Sequence, residues 1–315
     1  QLKVTQPNNI NRRWDHYQKT GDVGVAQDLC LNDSDKIFTM GSCFAVEIRN
    51  ALRQSGIRLL PDYQQLSLDP DRESLEGFPQ QHNIIHYHTF AIRQQFENAF
   101  EHWEPDPNDY WEVTRRHPET QQEIISYQDP YQRLLFADSP ERLNDLRKRL
   151  NQVIREGVLN ATAYIITLGL VEVWQNKKSG KYACMNPGYG NGGGHKETSF
   201  HASGYEENYQ NMKAVIEMIQ AHNPSANIFL TVSPVPLGST FKDEDVLFAN
   251  IESKSILRVV AGTLAREYSM VQYFPAYDIC SNVASSQIFE PDGRHVQRHI
   301  VEKIVQTFLH AYVKR

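Results

Sequence analysis

The chain runs to 315 residues, of which 40% are hydrophobic, and 38 Asp and Glu outweigh 32 Lys and Arg for a formal net charge of −6. A chain of that length buries roughly 75% of its unfolded surface, while the acidic balance and the lack of a Lys/Arg-rich run argue against nucleic acid or an anionic membrane as a partner. No apolar stretch reaches the ~20 residues of a membrane span, and the first residues carry no signal-peptide apolar region, so a cytoplasmic protein is expected, with Gln1 pointing to a trimmed N-terminus.

Residues 1–35 are polar, with Asn8–Asn9, Arg12–Arg13 and the run Asn32 to Asp35, and read as an N-terminal arm packed on a single domain that occupies 36–315. Ile37, Phe38, Thr39 and Met40 predict a buried strand that ends at Gly41. Phe44, Ile48 and Leu52, closed by Gly56, predict a helix with one apolar face. The stretch 60–81 is too polar and irregular for a core element and is expected to be a loop; 83–101 reads as a loop running into a helix. Prolines and aromatic residues mark 102–140 as an insertion, with short strands at Glu112–Thr114 and Ile124–Ser126. Ser139 caps the next helix with Pro140 at its first position, and Leu143, Leu146, Leu150, Val153 and Ile154 continue it toward Gly157. Ala163–Leu168 is a buried strand that ends at Gly169. The glycine-rich stretch 185–195 lacks the lysine-serine ending of a phosphate loop and is expected to be a lid or surface loop. A helix at 205–222, a strand at 227–232, a helix at 254–268, a strand at 271–274 and a helix at 299–312 complete the chain.

Apolar strands alternating with helices define an α/β protein whose parallel sheet is covered on both faces. Ligands in such sheets sit beyond the carboxyl ends of the strands. Gly41, Ser42 and Cys43, the segment Gly169 to Glu172, and Ser233 with Pro234 all fall at that edge.

A strand, a glycine turn and a helix start meet at Ser42 and Cys43. Unpaired N–H groups at a helix start favour developing negative charge, so a hydroxyl or thiol there suits a nucleophile. The competing reading makes Ser42 an N-cap and Cys43 a small buried apolar residue. Near the other end, Asp292 and His295 stand three residues apart, close enough for the carboxylate to hold one ring nitrogen while the other serves as a general base. Its competitor is a capping Asp beside an exposed His. Cys30, Cys43, Cys184 and Cys280 form no CxxC pair and no Cys/His zinc spacing, so reduced thiols are expected and no metal or cofactor is called for.

Gly41 to Ala45, Thr167 to Trp174, Asn186–Pro187, Thr231 to Pro234, Tyr273 to Pro275 with Tyr277, and Asp292 with His295 together resemble the GSCFA family, a branch of the SGNH/GDSL hydrolases. The resemblance implies a flavodoxin-like three-layer α/β/α sandwich and an esterase-like or acyl-transferring site. The first SGNH block reads Gly-Asp-Ser, which puts Cys43 on the nucleophile, or Ser42 if the turn is rotated. Beside a helix start and a histidine, the Cys43 thiol is expected to have a depressed pKa. The final block matches Asp292 and His295. The third block, Gly-x-Asn-Asp, is here Gly169 to Glu172 with Val171 in place of the amide donor, a loss that typically costs ~100- to 1,000-fold in rate. Asn83, His86 and His88 fall on the second block, with His88 where Asn is common. Their alternative is a polar loop making its own hydrogen bonds, and Glu172 and Trp174 are substrate contacts or strand-end residues. The implied activity is that of an acyl, or acetyl, ester hydrolase or acyltransferase on an O-acylated glycan or small metabolite; a non-catalytic glycan- or protein-binding descendant is the alternative. A thiol redox protein is disfavoured because no second cysteine lies nearby in sequence.

Overall fold

Five of the apolar runs become one parallel sheet, and their alternating side chains decide which helices cover each face. The structure, a computed structural model, describes residues 14, 23–25, 31–32, 34–75, 78, 84–116, 122–281 and 288–313. Most of the N-terminal stretch 1–35 therefore lies outside the described residues, and so does Asn83. In chain order the elements are β1 (Ile37–Gly41), α1 (Cys43–Gln54), β2 (Leu59–Leu60), β3 (Glu73–Leu75), α2 (Thr89–Ala99), β4 (Trp111–Arg116), β5 (Glu123–Asp129) and β6 (Leu135–Ala137). They continue with α3 (Pro140–Asn160), β7 (Ala163–Leu168), β8 (Glu172–Asn176), β9 (Tyr182–Ala183), β10 (Thr198–Ala202), α4 (Tyr205–His222) and β11 (Asn227–Val232). The last are α5 (Val246–Glu267), β12 (Val271–Phe274), α6 (Ala276–Ser281) and α7 (Arg298–Tyr312).

The main sheet has the order β12-β11-β7-β1-β2 and is parallel throughout. Numbered among themselves, these strands run 2-1-3-4-5 across the sheet, the flavodoxin-like order, whose switch point lies between the first and third strands. Those strands are β1 and β7. Phe38, Met40, Tyr164, Ile166, Ile228 and Leu230 face one layer with the apolar sides of α2, α3, α4 and α5. Ile37, Ala163, Ile165 and Phe229 face the other, formed by α1, α6 and α7. The result is the three-layer α/β/α sandwich that the family resemblance implies, built on the parallel sheet covered on both faces that the alternation of strands and helices predicts.

Two smaller antiparallel sheets are added at the edge of this frame, one of order β3-β6-β5-β4 and one of order β10-β8-β9. The stretch 60–81, expected to be a loop, contributes β3, because Glu73–Leu75 finds an edge on β6 through the pairs Glu73–Ala137, Ser74–Phe136 and Leu75–Leu135. Isolated polarity conceals such a strand, since the partner that buries it comes from 60 residues away. The two strands expected in 102–140 form as the β4–β5 hairpin. The glycine-rich stretch packs against this hairpin: the Gly193 N–H donates to Gln128 Oε1 at 2.8 Å, and Gly194, at φ +97°, lies on the Trp111 ring where a Cβ would come within 2.5 Å. Helix α5 begins at Val246 and not at Lys254. Its cap Asp245 accepts from the Leu247 N–H at 2.8 Å, while Leu247, Phe248 and Ile251 face solvent and so hide the first turns from a search for an apolar stripe. Among the described residues no helix is long and apolar enough to cross a membrane.

Candidate active site

The β1–α1 junction is built by Gly41. At φ +142° its missing side chain lets the backbone pass against β7, where a Cβ would stand 2.1 Å from the Thr167 carbonyl oxygen. The Ser42 N–H donates to that same oxygen at 3.0 Å. Helix α1 is held in register by Arg49, which is buried and donates to Thr39 Oγ1 at 2.9 Å and to the Leu60 and Pro61 carbonyls at 2.8 and 2.6 Å. Cys43 is thereby the first residue of α1, and its own N–H has no intrahelical acceptor.

Ser42 and Cys43 lie in the wall of a cavity of about 360 Å³ at the carboxyl ends of β1, β7 and β11, the switch point of the sheet. Tyr87, Gly169, the buried Trp174, Ser233 and Lys254 share that wall, and the exposed Tyr189, Phe241 and Arg294 line its solvent side. Ser42 is 1% exposed, makes no side-chain cap, and its Oγ has no hydrogen-bond partner among the described residues. Cys43 is half-buried. Burial pushes its thiol above the ordinary value, against the opposing pull of Lys254, Arg133, Arg294 and the Phe44 N–H. This corrects the depressed pKa expected of a helix start: the desolvation of a thiolate outweighs the helix end and three nearby cations.

Lys254 was not legible as a site residue. It sits on the buried stripe of α5 with Leu257, Ala261 and Leu264, and a lysine at an apolar position of a helix is the one signal that marks it. It is 1% exposed, and its Nζ donates to the Gly169 carbonyl at 2.7 Å. Burial draws its pKa down to about 8, with Cys43 acting in the opposite direction.

The remaining sequence candidates divide. Gly169 is where chain segments meet: its N–H donates to the Tyr87 carbonyl at 3.0 Å, and a Cβ would fall 2.5 Å from that oxygen and 3.0 Å from Ser42 Cβ. Its amide is therefore occupied and is not a free oxyanion donor. Glu172 is buried in the cavity wall with both carboxylate oxygens engaged, accepting from Thr240 Oγ1 at 2.6 Å and from the Phe241 N–H at 2.9 Å. It fixes the 240–241 turn. His88 also borders the cavity, yet its Nδ1 accepts from the Ala91 N–H at 3.1 Å as the cap of α2, and its Nε2 donates to the Ala183 carbonyl at 3.0 Å. Burial lowers it to about 4, so it stands as a neutral structural ring. His86 is fully buried and likewise lowered to about 4 by desolvation.

Asp292 and His295 bond to each other as their spacing predicts. Asp292 Oδ2 faces His295 Nδ1, and Asp292 Oδ1 accepts the Arg294 and His295 N–H groups at 2.9 and 3.0 Å. These bonds, the Arg294 amide first, lower the carboxylate to about 2. The pair is exposed, with the His295 side chain 68% accessible. It hydrogen-bonds to neither Ser42 nor Cys43, and Arg294, not His295, reaches the cavity. Trp174, Phe200 and Phe241 form an aromatic cluster with centroids 5.0 to 6.2 Å apart, of which Trp174 and Phe241 line the cavity. Among the described residues no group of three or more His, Cys, Asp or Glu is placed to hold a metal, and Cys43, Cys184 and Cys280 are free thiols.

Sheet order, layers and cavity define the class: a flavodoxin-like α/β protein with a thiol-bearing helix start at its switch point. The sequence matches the GSCFA family over residues 36–308, and the chain belongs to that family. Among solved structures it is similar to a family 3 carbohydrate esterase of Clostridium thermocellum, at 11% identity and TM-score 0.35, over 89% of this chain and 94% of that one. It is also similar to a family 3 carbohydrate esterase of Talaromyces cellulolyticus, at 9% identity and TM-score 0.39, over 88% of this chain and 96% of that one. A third likeness is to a catalytic mutant of Axe2, an acetylxylan esterase of Geobacillus stearothermophilus, at 9% identity and TM-score 0.34, over 90% of this chain and 96% of that one. These likenesses are distant, and the fold assigned here rests on the chain's own strand order. No curated protein matches the sequence.

Proposed function

We propose that this protein is an SGNH-like acyl-ester hydrolase or acyltransferase, with Cys43 as nucleophile and a short O-acyl group on a glycan or small metabolite as substrate. The observation that carries the reading is the placement of Cys43: a half-buried thiol at the first position of a helix, in the wall of a cavity at the sheet's switch point. The Cys43 sulfur attacks the acyl carbonyl, His295 accepts the thiol proton with Asp292 holding its Nδ1–H, and the tetrahedral oxyanion meets the unpaired N–H of the helix start. Collapse expels the alcohol, which takes the proton back from His295. Water, or an acceptor hydroxyl, then cleaves the thioester. The reading requires His295 Nε2 to come within hydrogen-bond reach of Cys43, which places a movement of the 290–296 loop on the reaction path. The aromatic cluster of Trp174, Phe200 and Phe241 suits the apolar face of a sugar ring or an acyl group.

The second reading, a non-catalytic descendant that binds a glycan or a protein in the same cavity, draws on the exposure of His295 and the engaged oxygens of Glu172. Turnover of p-nitrophenyl acetate separates the two. Wild type is expected to turn over, Cys43→Ala and His295→Ala to fall by roughly 1,000-fold or more, and Ser42→Ala to fall less than Cys43→Ala. Equal rates for all four proteins would sink the catalytic reading, and a larger loss in Ser42→Ala than in Cys43→Ala would move the nucleophile to the serine.

A further inference from the structure

The cavity holds a charge that the proposed chemistry has not used. Lys254 is almost wholly buried and its ammonium makes one hydrogen bond, to the Gly169 carbonyl. An ammonium carries three donors, so two remain for the cavity. Taking an ammonium out of water costs several kcal/mol unless an opposite charge compensates it, and among the described residues no carboxylate forms an ion pair with Lys254, whose hydrogen bond goes to the Gly169 carbonyl. Cys43 does not compensate it at neutral pH, because burial keeps the thiol protonated. Glu172, the carboxylate in the same wall, is already turned to Thr240 and Phe241. Arg133 and Arg294 add further positive potential at Cys43. Beside these cations the Ser42 hydroxyl is buried without a partner among the described residues, and α1 presents its N-terminus. The Lys254 ammonium, the Ser42 hydroxyl and the first amides of α1 can each donate at this corner.

We propose that Lys254, Ser42 and the N-terminus of α1 form a carboxylate-class oxyanion site beside Cys43, in which the Lys254 ammonium takes the part of the amide donor absent at Val171. The consequence for catalysis rests on the acyl-transfer reading, while the anion site stands without it. Charge from α5 thus serves a position that the third sequence block leaves empty. The same corner holds the product carboxylate after hydrolysis, since its oxygens occupy the place of the oxyanion.

Acetate is the probe. Its affinity for the protein is measured from broadening of its methyl proton resonance at pH 6.5, for wild type, Lys254→Met and Arg294→Met, each checked for its melting temperature. Lys254→Met removes a buried charge while keeping an unbranched chain of similar length, and is expected to bind acetate roughly 10- to 100-fold more weakly, the worth of one charge-assisted hydrogen bond. Arg294→Met, on the solvent side, is expected to lose less. Unchanged acetate affinity in Lys254→Met, or a loss confined to Arg294→Met, overturns the proposal. Wild type alone supplies a second measure: acetate binding should weaken as pH rises from 7 to 9.5, because Lys254 loses its proton near 8, and a flat profile across that range also overturns it. If acetate binding depends on Lys254 while no ester is turned over, the anion site stands and only the catalytic reading fails.

Discussion

At the scale of single residues, the site is decided by hydrogen-bond accounting more than by residue type. His88 and His295 are both imidazoles in sequence blocks that suggest chemistry, but His88 has both nitrogens committed to the backbone of Ala91 and Ala183, whereas His295 has its Nδ1 on Asp292 and its other nitrogen without a partner among the described residues. The folded state of His88 titrates near 4, below its ordinary 6.5, so between those values the unfolded chain binds the proton first. Its contribution is present above about 6.5 and is lost as pH falls toward 4, amounting to about 3 kcal/mol. Urea midpoints of wild type should drop between pH 6.5 and 4.5. Those of His88→Asn, which keeps an acceptor for the Ala91 N–H without a titrating ring, should drop less, the remaining slope being that of His86 set against the opposite slope of Asp129, whose carboxyl burial raises to about 6; identical slopes would remove His88 from the account. The spacing of Asp292 and His295 was legible because an i to i+3 contact is local. Lys254 was not, because its significance depends on which residues surround the face of α5 that carries it.

At the scale of elements, local signals worked where the element supplies its own partners. The cap of α3 is an example: the Ser139 Oγ accepts from the Arg142 N–H at 3.2 Å, with Pro140 at the first position, as serine followed by proline predicts. Ser139→Ala should destabilise the protein by about 1 kcal/mol, read as a lower urea midpoint with an unchanged slope; a change within measurement error would mean that packing against α2 alone holds the helix start. Elements whose partners are remote went unseen. Strand β3 exists because β6 lies beside it, and Glu172–Asn176, read as a motif following a strand, is itself the centre of the β10-β8-β9 sheet. That sheet explains why Glu172 points into the cavity wall and Trp174 stands beside Phe241.

At the scale of the whole molecule, the two faces of the parallel sheet are unequal. One carries four long helices; the other depends on α1 and on the C-terminal helix α7, whose Phe308 packs against Phe229, Phe274 and Tyr312 at centroid distances of 5.1, 5.2 and 5.0 Å. Phe308→Ala should cost roughly 3 to 5 kcal/mol and shift the global unfolding transition in circular dichroism. A loss below about 1 kcal/mol would show that α7 is not integral to the core. Because α1 and α7 share this layer, the helix that presents Cys43 and the helix that follows the Asp292–His295 loop are braced against the same face, and the cavity is lined by Cys43 from the first and by Arg294 from the loop before the second. The sequence alone determined the alternation of strands and helices, the Ser139 cap, the turn at Gly41 and the local Asp292–His295 bond, since each rests on periodicity or on contacts within a few residues. Tertiary structure alone decided the strand order, the edge sheets, the occupied amide of Gly169 and the buried ammonium beside Cys43. Those depend on which distant segments exclude water from one another, and only burial moves the lysine down and the cysteine up from their ordinary titration.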